Sequence, residues 1–176
     1  MNITTLSQSF GPESADRSAD VLQRSTEGAR AALETFYFGF NQRRTDILSF
    51  VWANESLVQL YNPIGGRVRG HGAIAEVYAR IIGGQARVWV ALSNIVEYAT
   101  EQMVVFAGHE QGQCIVGDET LLLSIRTSRV FVFTDRTGWR QAHHHGSIDD
   151  PQMLKSYQTL IDCSRTASVN SSGALA

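Results

Sequence analysis

Between residues 25 and 41 apolar side chains recur at helical spacing. Ala29, Ala32, Leu33, Phe36 and Phe40 fall at i, i+3, i+4 and i+7 steps and make one stripe. Ser25-Thr-Glu-Gly-Ala places cap chemistry ahead of that stripe, and Asn41-Gln-Arg-Arg ends it. Thr45-Asp46 can cap a second, short helix that carries Ile47, Leu48, Phe50, Val51 and Trp52. Ser56 to Tyr61 reads as a strand, broken by Asn62-Pro63 and Gly65-Gly66. Val68-Arg69-Gly70 then leads into a third helix from His71 to about Ile82, which Gly83-Gly84 closes.

Beyond this point the period changes to two. Arg87 to Tyr98, Glu101 to Gly112, Thr120 to Thr134 and Trp139 to Ser147 read as four long strands joined by short turns. The last two form a hairpin through Thr134-Asp-Arg-Thr-Gly138. Strict alternation in the final strand points Ala142, His144 and Gly146 one way, and Trp139, Gln141, His143 and His145 the other. Helices gathered at the front with a strand meander behind predict an α+β fold with a mostly antiparallel sheet.

Composition narrows the function more than it names it. The chain has 176 residues and a net charge of −2, with a pI near 6.2. No basic stripe is available to meet phosphates, which argues against a nucleic-acid or membrane-surface partner. No apolar run approaches the roughly 18 residues of a membrane helix, and the first ten residues lack the pattern of a secretory signal. Cys114 and Cys163 do not suggest a disulfide framework, so the expected location is cytoplasmic with both thiols reduced. Residues 1–24 are polar and read as a flexible N-terminal segment. Residues 25–150 form the domain, and residues 151–176 read as a C-terminal helix and tail, partly disordered. The glycines of Gly65-Gly66 and Gly70-His-Gly72 lack the lysine of a phosphate loop and read as turn residues.

The order of elements, together with four short pieces, resembles the nuclear transport factor 2-like superfamily. That superfamily includes SnoaL-like polyketide cyclases, ketosteroid isomerases and the association domain of calmodulin-dependent kinases. The pieces are Phe-Asn41-Gln-Arg-Arg-Thr-Asp46, Tyr61-Asn-Pro63-Ile-Gly65-Gly, Arg69-Gly70-His-Gly72-Ala-Ile74 and Trp139-x-x-Ala-His143-x-His145-x-Ser147. The resemblance covers about residues 26 to 150. It implies a cone in which a strongly curved sheet wraps the first helix and leaves a pocket at the open end. Fold implies no single function here, so function must be argued from the site.

By the same resemblance, ketosteroid isomerases keep a tyrosine, an aspartate base and a second acid where this chain has Phe36, Asn62 and Arg129. A phenyl ring cannot donate to an oxyanion, and an amide cannot take a proton from carbon, so that chemistry is not expected. Arg129 resembles a pocket-lining arginine of the kinase association domain. If it faces inward, so do Thr127, Phe131 and Phe133. A cationic fork there would suit a carboxylate or enolate oxygen; the competing reading is an arginine at the rim or paired with Glu110 or Glu119. His144 shares the pocket face with Ala142 and is the acid/base candidate, since histidine titrates near neutrality. Consecutive histidines on a strand do not share a face, so a three-ligand zinc site from His143, His144 and His145 is not expected; His143 and His145 share a face and could ligate together, but the resemblance implies similar histidines there without a metal. His109 and Glu110 point to opposite faces, and one of them can meet His144 or Arg129 across the sheet.

These readings give His144, Asn62 and Arg129 as the chemical set, with Phe36, Phe40, Tyr61, Trp89, His109 and Phe131 as the ligand-facing set. The leading expectation is a pocket protein for a small, largely apolar ligand with a polar or anionic anchor and no cofactor. The alternatives are a cofactor-independent acid/base enzyme (cyclase, isomerase, dehydratase or hydrolase-like) and an oligomerisation hub. Leu121-Leu-Leu-Ser-Ile125 is apolar on both faces, which leads to the expectation of a homodimer packed through the outer sheet face.

Overall fold

The computed structural model describes the backbone of residues 1–172 and the side chains of residues 1–162. Its elements are β1 (Asn2–Leu6), α1 (Thr26–Asn41), α2 (Thr45–Val51), β2 (Gln59–Tyr61), β3 (Arg67–Arg69), α3 (His71–Gly83), β4 (Arg87–Ala99), β5 (Met103–Val116), β6 (Glu119–Thr134), β7 (Gly138–Ser147) and α4 (Pro151–Ser172). The seven strands form one sheet in the order β1-β4-β5-β6-β7-β2-β3. Every pairing is antiparallel except β2 with β7, which sets Leu60 beside His144. The fold is thus α+β, with helices in front and an uninterrupted meander behind. Among the described residues no helix is long and apolar enough to cross a membrane.

Helix α1 is the centre of the core. The Ser25 hydroxyl accepts from the Gly28 N–H at 3.3 Å, as the cap reading required. Burial extends beyond the predicted stripe to Ala31, Thr35, Tyr37 and Gly39, because the sheet covers one side of the helix and other segments cover the rest. Gly39 is needed for that cover: a Cβ there would lie 2.8 Å from Ile47 Cγ2 on α2. The cap expected from Thr45-Asp46 does not form. Arg44 occupies the cap position without a side-chain bond, and its guanidinium holds the Asp46 carboxylate at 2.7 Å instead.

The N-terminal segment corrects its reading as a flexible tail. β1 pairs with β4 from Asn2 opposite Ala99 to Leu6 opposite Ile95. Phe10 bridges Leu92 and, like Val21, is buried in the core. Arg17 ties the intervening loop to α1, donating its N–H to the Thr35 hydroxyl (3.0 Å) and pairing with Asp20 and Glu27. Low apolar content misleads here because two large side chains and one open strand edge suffice to dock the segment.

Two bulges set the curvature of the sheet. In β4 the register shifts between Ser93 and Val96, with Asn94 at φ 52°. In β7 the register shifts opposite Val130 and Phe131, so that Phe131 faces Gln141 and Val130 faces His143. The extra residue is Ala142. It breaks the strict alternation and brings Trp139 and Gln141 to the inner face with His144, correcting the predicted division of that strand. β3 is a further departure. The short Arg67–Arg69 segment pairs with β2, and its brevity hid it from a periodicity reading.

The C-terminal helix α4 starts at Pro151, where the Asp150 carboxylate accepts from the Gln152 N–H at 2.8 Å. It lays Tyr157 and Leu160 against the core and donates from Gln158 Nε2 to the Ile64 carbonyl at 2.8 Å. The expected disorder at the chain end, and the Cys163 side chain, lie outside the described residues.

Candidate functional site

At the end of the cone closed by α4 lies a small cavity, with about 60 Å³ open to the centre of a water-sized molecule. That is well below the roughly 150 Å³ of an apolar cavity that holds benzene, so the site as it stands suits water or a very small molecule. Phe36 and Phe40 come from α1, Leu60 from β2, Val88 and Val90 from β4, and Ile125 from β6, so most of the wall is apolar. Asn62 and Pro63 enter from the β2–β3 turn, whose Gly65 and Gly66 take positive φ. Tyr78 on α3 and Tyr157 on α4 complete the wall, and Glu110, Arg129 and His144 are its ionisable groups.

Arg129 faces inward, as its strand parity predicts, but it is not a free fork. Its Nη2 binds Glu110 Oε1 at 2.9 Å, its Nη1 donates to Gln141 Oε1 at 3.1 Å, and its Nε donates to the Tyr37 hydroxyl at 3.1 Å. Tyr37 in turn donates to Glu110 Oε1 at 2.5 Å. The guanidinium lies 3.7 Å over the Phe36 ring and is 2% exposed. Burial opposes its charge, but Tyr37 and Glu110 outweigh that and hold the guanidinium above its ordinary value. Burial also pushes the Tyr37 hydroxyl well above its usual range, against the pull of Arg129. The Arg129–Glu110 pair leaves this cluster without net charge, while Gln141 Nε2 is buried with no partner among the described residues. Of the two readings for Arg129, the pair with Glu110 is the one formed.

His144 is the opposite case. Its Nε2 lies 2.9 Å from the Thr127 hydroxyl, and its Nδ1 is buried with no partner among the described residues. Thr127 also reaches the His145 carbonyl at 3.4 Å. Assigning the Thr127 proton to that carbonyl puts the ring proton on Nε2 and leaves the lone pair on Nδ1; a Thr127 proton given to Nε2 reverses the two nitrogens. Burial, reinforced by the Arg129 charge, drives the imidazole well below its ordinary value, so it is neutral at pH 7. Asn62 spends its Oδ1 on the Ile64 N–H at 3.1 Å and leaves its amide N–H groups free.

The remaining sequence-derived positions divide. Phe36 and Phe40 line the cavity. Tyr61 does not: it packs edge-on against the His143 and His145 rings, at 5.2 and 5.5 Å, on the outer face. Trp89 is 37% exposed on that same face, and His109 there hydrogen-bonds the Ser124 hydroxyl at 2.8 Å. Strand parity places all three opposite the buried Leu60, Val90 and Glu110, which is why they miss the cavity. Phe131 faces inward but packs edge-on to Phe106 at 5.7 Å, in the core below the cavity. Tyr37, Tyr78, Gln141 and Tyr157 were not anticipated. Tyr37 and Tyr78 sit one helical turn after the core residues Leu33 and Ile74, a signal that the sequence did carry. Cys114 is buried, and that burial pushes its thiol up to about 11, so it is no nucleophile.

Comparison with known proteins agrees with this architecture. No curated protein matches the sequence. A Thiobacillus denitrificans structure, provisionally assigned as a calcium/calmodulin-dependent protein kinase type II association domain, is 27% identical. It aligns over 69% of this chain and 94% of its own, with a TM-score of 0.56. A Streptomyces avermitilis protein of the nuclear transport factor 2-like family, provisionally assigned as a dehydratase, is 21% identical over 69% and 93% of the two chains, with a TM-score of 0.62. A Salmonella enterica superfamily member is 19% identical over 73% and 91%, with a TM-score of 0.61. The SnoaL-like domain model matches residues 29–151. This chain belongs to the SnoaL-like domain family, and its fold is that of nuclear transport factor 2-like structures.

Proposed function

We propose that this protein binds a small, largely apolar molecule in the cavity beneath α4, held by hydrogen bonds to His144 and Asn62. The observation that carries the reading is the buried His144 Nδ1. Among the described residues it has no partner, in a site whose wall is mostly apolar but also carries Asn62, Tyr78, Glu110, Arg129 and Tyr157. A buried acceptor left unmade costs about 1–3 kcal/mol, which a ligand would recover. Arg129 serves in this reading as a brace that fixes Phe36 and Glu110, not as the anchor for an anion. The protein titrated with small apolar probes such as xenon should show saturable shifts in the methyl resonances of Leu60, Val90 and Ile125. The absence of any such shift at millimolar concentration, about −4 kcal/mol of binding, overturns the reading.

Acid/base catalysis is the second reading, and the same lone pair favours it, since a neutral imidazole can accept a proton. The depressed basicity of His144 weakens it, because a base far below the working pH gains little driving force. Turnover of any bound probe, abolished by His144→Leu with binding retained, would establish it. The likeness to a protein assigned as an association domain supports a third, assembly role, which the solution mass tests separately.

A further inference from the structure

We propose that α4 is a gate: hinged at residues 148–150, it swings off the open end of the cone as a unit while the sheet and α1 stay folded, and the cavity takes up and releases its ligand in that open form. Its use as an entry route rests on the small-ligand reading above; the motion itself does not.

Three observations lead there. First, α4 is attached differently from the other walls of the cavity. β2, β4 and β6 each have a hydrogen-bonded strand on both sides. Helices α1 and α3 bury side chains completely, Leu33 and Ile74 among them. α4 belongs to no ladder and lies across β5 and β6, where it buries Tyr157 and Leu160 with 8% of each still exposed. Second, its attachment is a narrow apolar stripe. Met153, Leu154, Tyr157, Leu160 and Ile161 fall at helical spacing and are its buried or half-buried positions. Between Pro151 and Leu160, and among the described residues, the bond from Gln158 to the Ile64 carbonyl is the one side-chain hydrogen bond to another element. At the hinge Asp149 pairs with Arg126, but both side chains are more than 60% exposed, so water screens the pair. Swinging the helix away therefore uncovers apolar surface and breaks no buried polar bond. Such a unit opens locally, well before the core does. Third, Tyr157 stands over groups on the inner face of the sheet. Glu110 lines the cavity with it, and burial first, then Cys114 and Glu110, push its hydroxyl up. Cys114 on β5 is fully buried, and α4 is the helix that packs on that strand.

Cys114 therefore reports the gate without any ligand. The test uses the whole chain with Cys163→Ser, which leaves Cys114 as its one thiol, and dithionitrobenzoate, an aromatic disulfide too bulky for the closed cavity. Cys114 should react at least roughly tenfold faster than the protein unfolds globally. The urea slope of that reaction should be less than about half the global one, because opening exposes one helix face and not the core. Tyr157→Ala should raise the labelling rate about tenfold or more, since the closed form loses its largest contact. Leu33→Ala, in the core of α1, should lower global stability and leave the labelling rate unchanged. The parent rate and slope decide the matter even if a variant fails to fold. Labelling at the rate and slope of global unfolding overturns the gate. So does acceleration by Leu33→Ala, or a rate that Tyr157→Ala leaves as it was. Each of these leaves the pocket reading standing, whereas an absence of xenon-induced methyl shifts overturns that reading and not the motion.

Discussion

Glu110 and Arg129 depend on each other more than on anything else near them. Both are almost fully buried and 2.9 Å apart, so removing either one strands a charge. Glu110→Leu or Arg129→Leu alone should each cost about 3–5 kcal/mol in urea unfolding. The double variant should cost less than the sum by about 0.5–3 kcal/mol, because it strands neither charge. Additive singles would show that the pair is not coupled. His144 makes a second prediction, about pH. Its folded value lies well below the ordinary 6.5, so below pH 6.5 the unfolded chain binds a proton that the folded chain refuses. Stability from this group is therefore complete above pH 6.5 and is lost as pH falls toward the folded value. His143, lowered by burial and by His145, adds to the same slope. His144→Leu should flatten that part of the stability–pH curve, and an unchanged slope would count against a neutral buried ring. At this scale the inward face of Arg129 was legible from parity alone, and Glu110 was one of two partners that parity allowed. Gln141 was not legible. The Ala142 bulge that turns it inward depends on sheet curvature, a tertiary property that a single strand's sequence does not display.

Two elements that read as tails contribute to the body of the protein. The N-terminal segment gives β4 a hydrogen-bonded neighbour and fills the core with Phe10. Phe10→Ala should therefore lower stability by about 3–5 kcal/mol in chemical unfolding, where a flexible tail would show no change. The segment was missed because its apolar residues are few and widely spaced, whereas docking needs only a strand edge and a slot. Helix α4 limits the cavity from the other end through Tyr157. Tyr157→Ala should enlarge the site, so that apolar probes too large for wild type bind. Equal exclusion by both proteins would show that α4 does not set ligand size. The four long strands and three front helices, in contrast, were legible throughout, since long periodic segments carry many concordant positions.

The outer face of the sheet is the remaining feature of the whole molecule. It presents Trp89 at 37% exposure, Met103 at 44% and Leu122 at 65%, with half-buried Val105, Val130 and Val132 between them. These positions alternate with core residues such as Val90, Val104, Leu123 and Phe131, so the same parity that builds the cavity wall places apolar groups outside. A single-layer sheet with helices on one face leaves that surface to water unless a second layer covers it. We propose that a second copy of the chain does so, face to face about a twofold axis, because a self-paired patch needs only itself for complementarity. The Tyr61, His143 and His145 ring cluster lies on the same face and would add aromatic contact at one edge. Light scattering at micromolar concentration should give twice the chain mass. Trp89→Glu with Leu122→Glu should convert the protein to a folded monomer, since two buried carboxylates per copy face an apolar surface with no partner. The cavity lies on the inner face, so a small apolar probe should bind that monomer as it binds wild type. A wild-type monomer at the same concentration ends the dimer proposal. Binding lost with the dimer would instead mean that the partner copy holds the cavity in shape.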